Sequence, residues 1–153
     1  MKYKNLGKTS IRIPVIGQGC MGIGGYLTRD SKRDKCQVEL LRRGIGLGMA
    51  FIDTAEVYGG GHSEEVVGQA VTGIRDTVFI ATKVSPEHLE GRDVIRSAEK
   101  SLSRLNTDYI DLYQVHWPNP QIRLEETMRA MEQLVQQGKI RYIGLSNFYL
   151  NEV

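Results

Sequence analysis

The sequence predicts an α/β fold of the (β/α)₈ TIM-barrel type, with about the first five strands and four helices of such a barrel present. Two observations carry this. Apolar strand-like runs alternate with segments of helical periodicity, the pattern of a parallel sheet covered by helices. From the second strand onward the strand ends fall at residues 53, 83, 116 and 146, a spacing of about thirty residues that suits successive βα units. A doubly wound sheet would give a similar rhythm. A complete barrel needs about 250 residues, so 153 residues are expected to make a partial one. The expected organisation is an N-terminal β-hairpin over 1–14 and a single truncated barrel domain over 15–153.

The hairpin is read from Lys2 to Pro14, where Gly7 and Ser10 separate short apolar stretches. The strands follow as Val15–Gly19, Met49–Asp53, Val78–Lys83, Tyr109–His116 and Arg141–Ser146. Four helices lie between them. The first shows a face of Val38, Leu41 and Ile45, weakened by Gly44, Gly46 and Gly48, each costing a helix about 1 kcal/mol relative to Ala. The second aligns Val66, Val67, Ala70, Val71 and Ile74, with Glu64 and Glu65 in the first turn where the helix dipole favours anions. The third aligns Val94, Ile95, Ala98, Leu102 and Leu105. The fourth aligns Leu124, Met128, Met131, Leu134 and Val135 and stops at Gly138.

Composition narrows the function classes. With 41% hydrophobic and 25% charged residues, the chain can bury a real core and does not read as disordered. A net charge of +2 with scattered basic residues gives no support to a nucleic-acid or membrane partner. The start, MKYKNLGKTS, lacks an apolar signal core, and nowhere do about 18 apolar residues run together. The expectation is a cytoplasmic protein. Cys20 and Cys36 form no C-x-x-C pair and stand near no histidine cluster, which favours reduced thiols over a metal or disulfide site.

Several short motifs invite a nucleotide reading. The stretch Gly17 to Gly22, GQGCMG, matches the G-x-G-x-x-G pattern, but a Rossmann turn requires a helix directly after the glycines. Here Gly24, Gly25 and Tyr26 continue the loop, and the next helix start is around Asp30 or Ser31. The stretch is better placed at the end of the first barrel strand, where its glycines let a ligand approach the backbone. Leu6-Gly-Lys-Thr9 is no phosphate loop, because Lys2 stands where its first glycine must be. Gly59-Gly-Gly61 reads as a flexible turn, since Glu64 and Glu65 follow and would repel phosphate. No G-x-S-x-G elbow of a serine hydrolase is present.

In a barrel the C-terminal ends of the strands meet around one mouth. The residues there are Asp53, Lys83, His116 and the pair Ser146-Asn147, with Tyr58 five residues beyond Asp53. Singly, each has a plain structural explanation. Together they make chemistry: a buried Lys needs an anion, which Asp53 can supply. A cation beside a phenol favours the phenolate, so Tyr58 can act as general acid, and His116 can hydrogen-bond a substrate carbonyl.

The runs Phe51-Ile-Asp-Thr-Ala-Glu-Val-Tyr-Gly59, Phe79-Ile-Ala-Thr-Lys-Val84, Asp108-Tyr-Ile-Asp-Leu-Tyr-Gln-Val-His-Trp-Pro118 and Gly138-Lys-Ile-Arg-Tyr-Ile-Gly-Leu-Ser-Asn-Phe148 resemble the aldo-keto reductases in order and spacing. The resemblance implies a (β/α)₈ barrel that transfers hydride from a nicotinamide cofactor, usually NADPH, to a small-molecule aldehyde or ketone. It implies Tyr58 as proton donor, Lys83 and Asp53 as the pair that tunes it, and His116 as the carbonyl-orienting residue. It places Ser146 and Asn147 on the nicotinamide carboxamide, Met21 and Gly22 at the nicotinamide riboside, and Trp117 at the substrate-pocket wall. The residues for the cofactor's pyrophosphate, adenosine and 2′-phosphate would lie mostly beyond this chain. Two alternatives accompany this reading. One is a non-catalytic, cofactor-binding regulatory subunit of the same fold, resembling the potassium-channel beta subunits. The other is an inactive fragment or half-barrel that self-associates through its open sheet edges.

Overall fold

The computed structural model describes residues 1–150; the last three residues of the predicted barrel segment lie outside the described residues. A hairpin of β1 (Tyr3–Asn5) and β2 (Arg12–Pro14) pairs antiparallel. Five strands then build one parallel sheet in sequence order: β3 (Gln18–Gly19), β4 (Phe51–Asp53), β5 (Phe79–Val84), β6 (Ile110–Val115) and β7 (Ile140–Leu145). Each crossover carries one helix: α1 (Asp34–Gly46), α2 (His62–Val71), α3 (Gly91–Leu105) and α4 (Leu124–Gln136). These are five strands and four helices of a (β/α)₈-type barrel, with β3 and β7 at the two edges. Among the described residues, no helix is long and apolar enough to cross a membrane.

Strand alternation divides the sheet into two faces. Ile52, Ile80 and Thr82 point toward the helices, and the first two are fully buried there with Val66, Val67, Val94 and Leu105. The other face carries Phe51 and Phe79, in register across β4 and β5, their rings stacked with centroids 5.3 Å apart. Further along the same face stand Asp53 and Lys83.

The elements depart from the sequence reading mainly at their ends. Val15 and Ile16 are exposed and lie outside the first strand, which reduces to Gln18–Gly19. The second helix stops at Val71, so Ile74 falls beyond it and is 36% exposed. Helix α1 begins at Asp34, not at Asp30 or Ser31, and runs through both Gly44 and Gly46. Gly44 has a packing reason. A Cβ there would run into the carboxamide of Gln18, whose Nε2 donates to the carbonyls of Leu41 and Met49 at 3.2 and 3.0 Å. The lost helix propensity is offset by a bond that ties α1 to the first strand.

At the opposite end of the sheet, Asp111 forms a clasp that the sequence reading missed. It is 3% exposed. Its carboxylate accepts from Arg75 at 2.8 Å, from the Ile80 backbone N–H at 2.9 Å and from Arg141 at 3.0 Å. The two guanidiniums also lie over the Tyr109 ring, at 4.0 and 3.8 Å from its centroid. Because Arg75 precedes β5, Asp111 lies in β6 and Arg141 in β7, one carboxylate pins the starts of three strands. Removing one partner of a buried pair leaves uncompensated charge and costs about 3–5 kcal/mol. Asp111→Ala should therefore lower unfolding free energy by that order in urea titration; an unchanged midpoint would contradict the clasp.

Candidate active site

Parallel pairing brings the C-terminal strand ends to one side, and backbone bonds carry the ladder one step beyond β3, β6 and β7. His116 N donates to Val84 O and Ser146 N to Val115 O, both at 2.9 Å. Cys20 N donates to Asp53 O at 2.8 Å. Asp53 thus ends β4, Lys83 stands next to last in β5, and His116 and Ser146 directly follow β6 and β7. Lys83 is the most enclosed, its side chain 7% exposed. Its Nζ donates to Asp53 Oδ1 at 2.5 Å and to the Thr54 carbonyl at 2.8 Å.

Tyr58 opens a tight 3₁₀ turn, Tyr58–Gly61, that leads into α2. The turn depends on glycine: Gly59, Gly60 and Gly61 have φ of 59°, 62° and 93°, the left-handed region that other residues rarely adopt. A Cβ at Gly59 would also meet the Gly24 carbonyl at 2.5 Å. This geometry returns the tyrosine over the strand ends. Lys83 Nζ lies 5.2 Å from the Tyr58 ring centroid, and the His116 ring meets Tyr58 edge-on at 5.7 Å. The structure therefore brings Asp53, Tyr58, Lys83 and His116 together. Trp117 stacks on His116 at 6.4 Å and is half-exposed.

The remaining predicted residues lie on the same rim but at its two sides. Met21 and Gly22 follow β3 at one edge, Met21 exposed and Gly22 at φ 91°. Ser146 and Asn147 follow β7 at the other edge, with β4, β5 and β6 between the two pairs. Asn147 Nδ2 donates to the His116 carbonyl at 2.8 Å and to Ser146 Oγ at 2.9 Å. No helix follows GQGCMG, in keeping with the rejection of a Rossmann turn; Gly22 bridges Gly25 and α1 starts at Asp34. Cys20, buried beside Asp53, has its thiol pushed up to about 12 by desolvation and by the Asp53 charge, which leaves it protonated and unreactive. Among the described residues, no three His, Cys, Asp or Glu side chains group to hold a metal ion.

A supporting layer under Tyr58 was not legible as such. Glu64 is fully buried, accepting from Thr82 Oγ1 and from Arg104 Nε, both at 2.6 Å. Burial raises its carboxyl above the ordinary value, opposed by Arg104 and the hydrogen bonds. The sequence reading gives Glu64 a helix-dipole role and a charge that repels phosphate, but no buried partner. Its spacing with Val67 and Val71, on the buried face, was the available signal. His62 bridges two carboxylates, with Nε2 2.9 Å from Asp34 and Nδ1 2.7 Å from Glu65. This joins the starts of α1 and α2. Ser63 completes the layer, accepting from Thr54 at 3.0 Å and donating to the Cys20 carbonyl at 3.2 Å.

Desolvation, and after it the Lys83 charge, lowers the His116 imidazole below its ordinary 6.5. Lowering means that the unfolded chain binds this proton more readily. The stability His116 contributes is full above its ordinary value and is lost as pH falls through the folded one. An NMR titration of the His116 ring should give a midpoint below 6.5; a midpoint at or above it would contradict this environment.

Comparisons with known proteins identify the family. The sequence profile of the aldo/keto reductase family matches residues 15–153. The chain is 47% identical over 137 residues to methylglyoxal reductase YeaE of Escherichia coli (strain K12), covering 90% of this chain and 46% of that protein. It is 41% identical over 163 residues to aldo-keto reductase YhdN of Bacillus subtilis (strain 168), covering 100% and 49%. Among solved structures, the thermostable aldo-keto reductase Tm1743, in complex with the inhibitor epalrestat, superposes with a TM-score of 0.97 at 54% identity, covering 99% of this chain and 56% of that one. An aldo/keto reductase from Klebsiella pneumoniae in complex with NADP and acetate superposes with a TM-score of 0.87 at 44% identity, covering 92% and 48%. The chain spans about half the length of the curated relatives it matches. It belongs to the aldo/keto reductase family.

Proposed function

We propose that the chain carries the reductase centre of an NADP(H)-dependent oxidoreductase that converts small aldehydes or ketones to alcohols. The observation that supports it most is the Lys83 ammonium, held at 2.5 Å by Asp53 and facing the Tyr58 ring at 5.2 Å. In this reading Tyr58 gives its phenolic proton to the carbonyl oxygen, and the ammonium stabilises the phenolate left behind. His116, uncharged at neutral pH because its imidazole is lowered, donates a hydrogen bond that fixes the angle of the carbonyl. Trp117 walls the substrate.

The end of β7 fits the amide end of a nicotinamide. Asn147 Nδ2 is spent on His116 and Ser146, leaving the Ser146 hydroxyl as a donor and Asn147 Oδ1 as an acceptor. A carboxamide offers the complementary acceptor and donor. Met21 and Gly22 would approach the adjoining ribose from the other edge. When bound, NADPH supplies the hydride, and the protein supplies orientation and the proton.

A second reading rests on β3 and β7, which among the described residues are the edge strands of the sheet and could pair with another chain. In it, activity appears only when a further polypeptide, such as another copy, completes the sheet. Loss of NADPH absorbance with a simple aldehyde tests both. Tyr58→Phe should lower kcat about 10²-fold or more with cofactor binding retained. Equal rates for wild type and variant would remove Tyr58 as the acid. Specific activity that climbs with chain concentration would favour the paired form.

A further inference from the structure

The end of β5 carries more negative charge than the reductase centre uses. Asp53 is neutralised by Lys83. Glu56 is turned inward, its side chain 7% exposed, accepting from Ser85 N at 2.6 Å and pairing with His88 Nδ1 at 2.9 Å. Glu87 lies in the same turn, its carboxylate exposed and bonded by the Ser85 hydroxyl. Two backbone-directed bonds fasten this turn to the substrate side of the mouth. His116 N donates to Val84 O, and Asn119 Nδ2 donates to Pro86 O at 2.9 Å, tying the residue before Glu87 to the loop that carries Trp117.

The charges that act on His116 are Lys83 on one side and Asp53, Glu56 and Glu87 on the other. Lys83 is consumed by Asp53, and Arg104 on α3 by the buried Glu64. Glu56 is turned inward, bonded by Ser85 N and His88 Nδ1. Glu87 is left facing solvent, and the Ser85 hydroxyl, with Glu87's own backbone N–H, holds its carboxyl below the usual range, so it is ionised at neutral pH.

The geometry points to Glu87 as a specificity-determining residue: its carboxylate at the rim disfavours carbonyl substrates that bear a carboxylate and favours neutral or cationic ones. This rests on the proposed reduction at the same site. For one charge at the edge of a hydrated mouth, the expected discrimination is about threefold at low salt, shrinking as salt is added.

Trp117 is the single tryptophan of the chain and is 51% exposed, so collisional quenching reads the potential at this rim without any turnover. With each ion scaled to its quenching of free N-acetyltryptophanamide, caesium should quench about ninefold better than iodide at low salt, the square of the single-charge factor, and Glu87→Gln should narrow that gap. Equal quenching by the two ions, or a gap the variant leaves unchanged, overturns the inference. A kinetic arm uses 4-nitrobenzaldehyde and 4-carboxybenzaldehyde with NADPH. Wild type should favour the neutral aldehyde in kcat/KM, and Glu87→Gln should reduce the ratio about threefold. Turnover of both with a ratio the variant does not change rejects Glu87 as the determinant and leaves reduction intact. Turnover of neither counts against the proposed reduction, and the quenching result still decides the charge at the rim.

Discussion

The arrangement at the strand ends depends on one ammonium held out of water. Lys83 sits at the end of a central strand with its side chain almost wholly enclosed, and such a charge is tolerated only when paired and hydrogen-bonded. Asp53 and the Thr54 carbonyl meet that demand from the neighbouring strand. The register of β4 against β5 is thereby coupled to electrostatics: sliding either strand by one residue would turn Lys83 or Asp53 to the helix side. Tyr58 and His116 then take positions defined relative to this cation.

Much of the remaining structure serves to keep those strand ends in place. The Asp111 clasp fixes the far ends of β5, β6 and β7, and the Glu64–Arg104 pair ties the start of α2 to the end of α3 beneath the Tyr58 turn. Three glycines with positive φ let the chain fold back so that the phenol overhangs the lysine. The proposed reduction needs geometry held to fractions of an ångström, and buried polar bonds added to helix packing supply such stiffness.

Helix and strand order could be read because α2, α3 and α4 each keep a continuous apolar stripe and the longer strands are apolar runs. Strand ends spaced by about thirty residues, with a polar residue at each, make the convergence of Asp53, Lys83 and His116 legible in the sequence. The first βα unit was harder. Gly44 looks like a helix breaker until Gln18 is seen filling the space beside it, a contact between residues 26 apart. Glu64 and Asp111 were missed for a related reason. A charge within an apolar pattern shows that something must neutralise it, but the partners, Arg104, Arg75 and Arg141, lie on other elements and are identified only once the helices and strands are packed. Val15 and Ile16 show the converse: apolar residues in the chain that the described structure leaves exposed.

In the proposed reduction the Lys83 charge, not merely its bulk, organises the chemistry at Tyr58. The most direct measurement replaces that charge with an apolar side chain of similar length, Lys83→Met, and follows single-turnover reduction of an aromatic aldehyde by bound NADPH. The rate should fall at least about a hundredfold below wild type, with the circular-dichroism spectrum and cofactor affinity retained. A variant that folds, binds NADPH and reduces the aldehyde at the wild-type rate would contradict it.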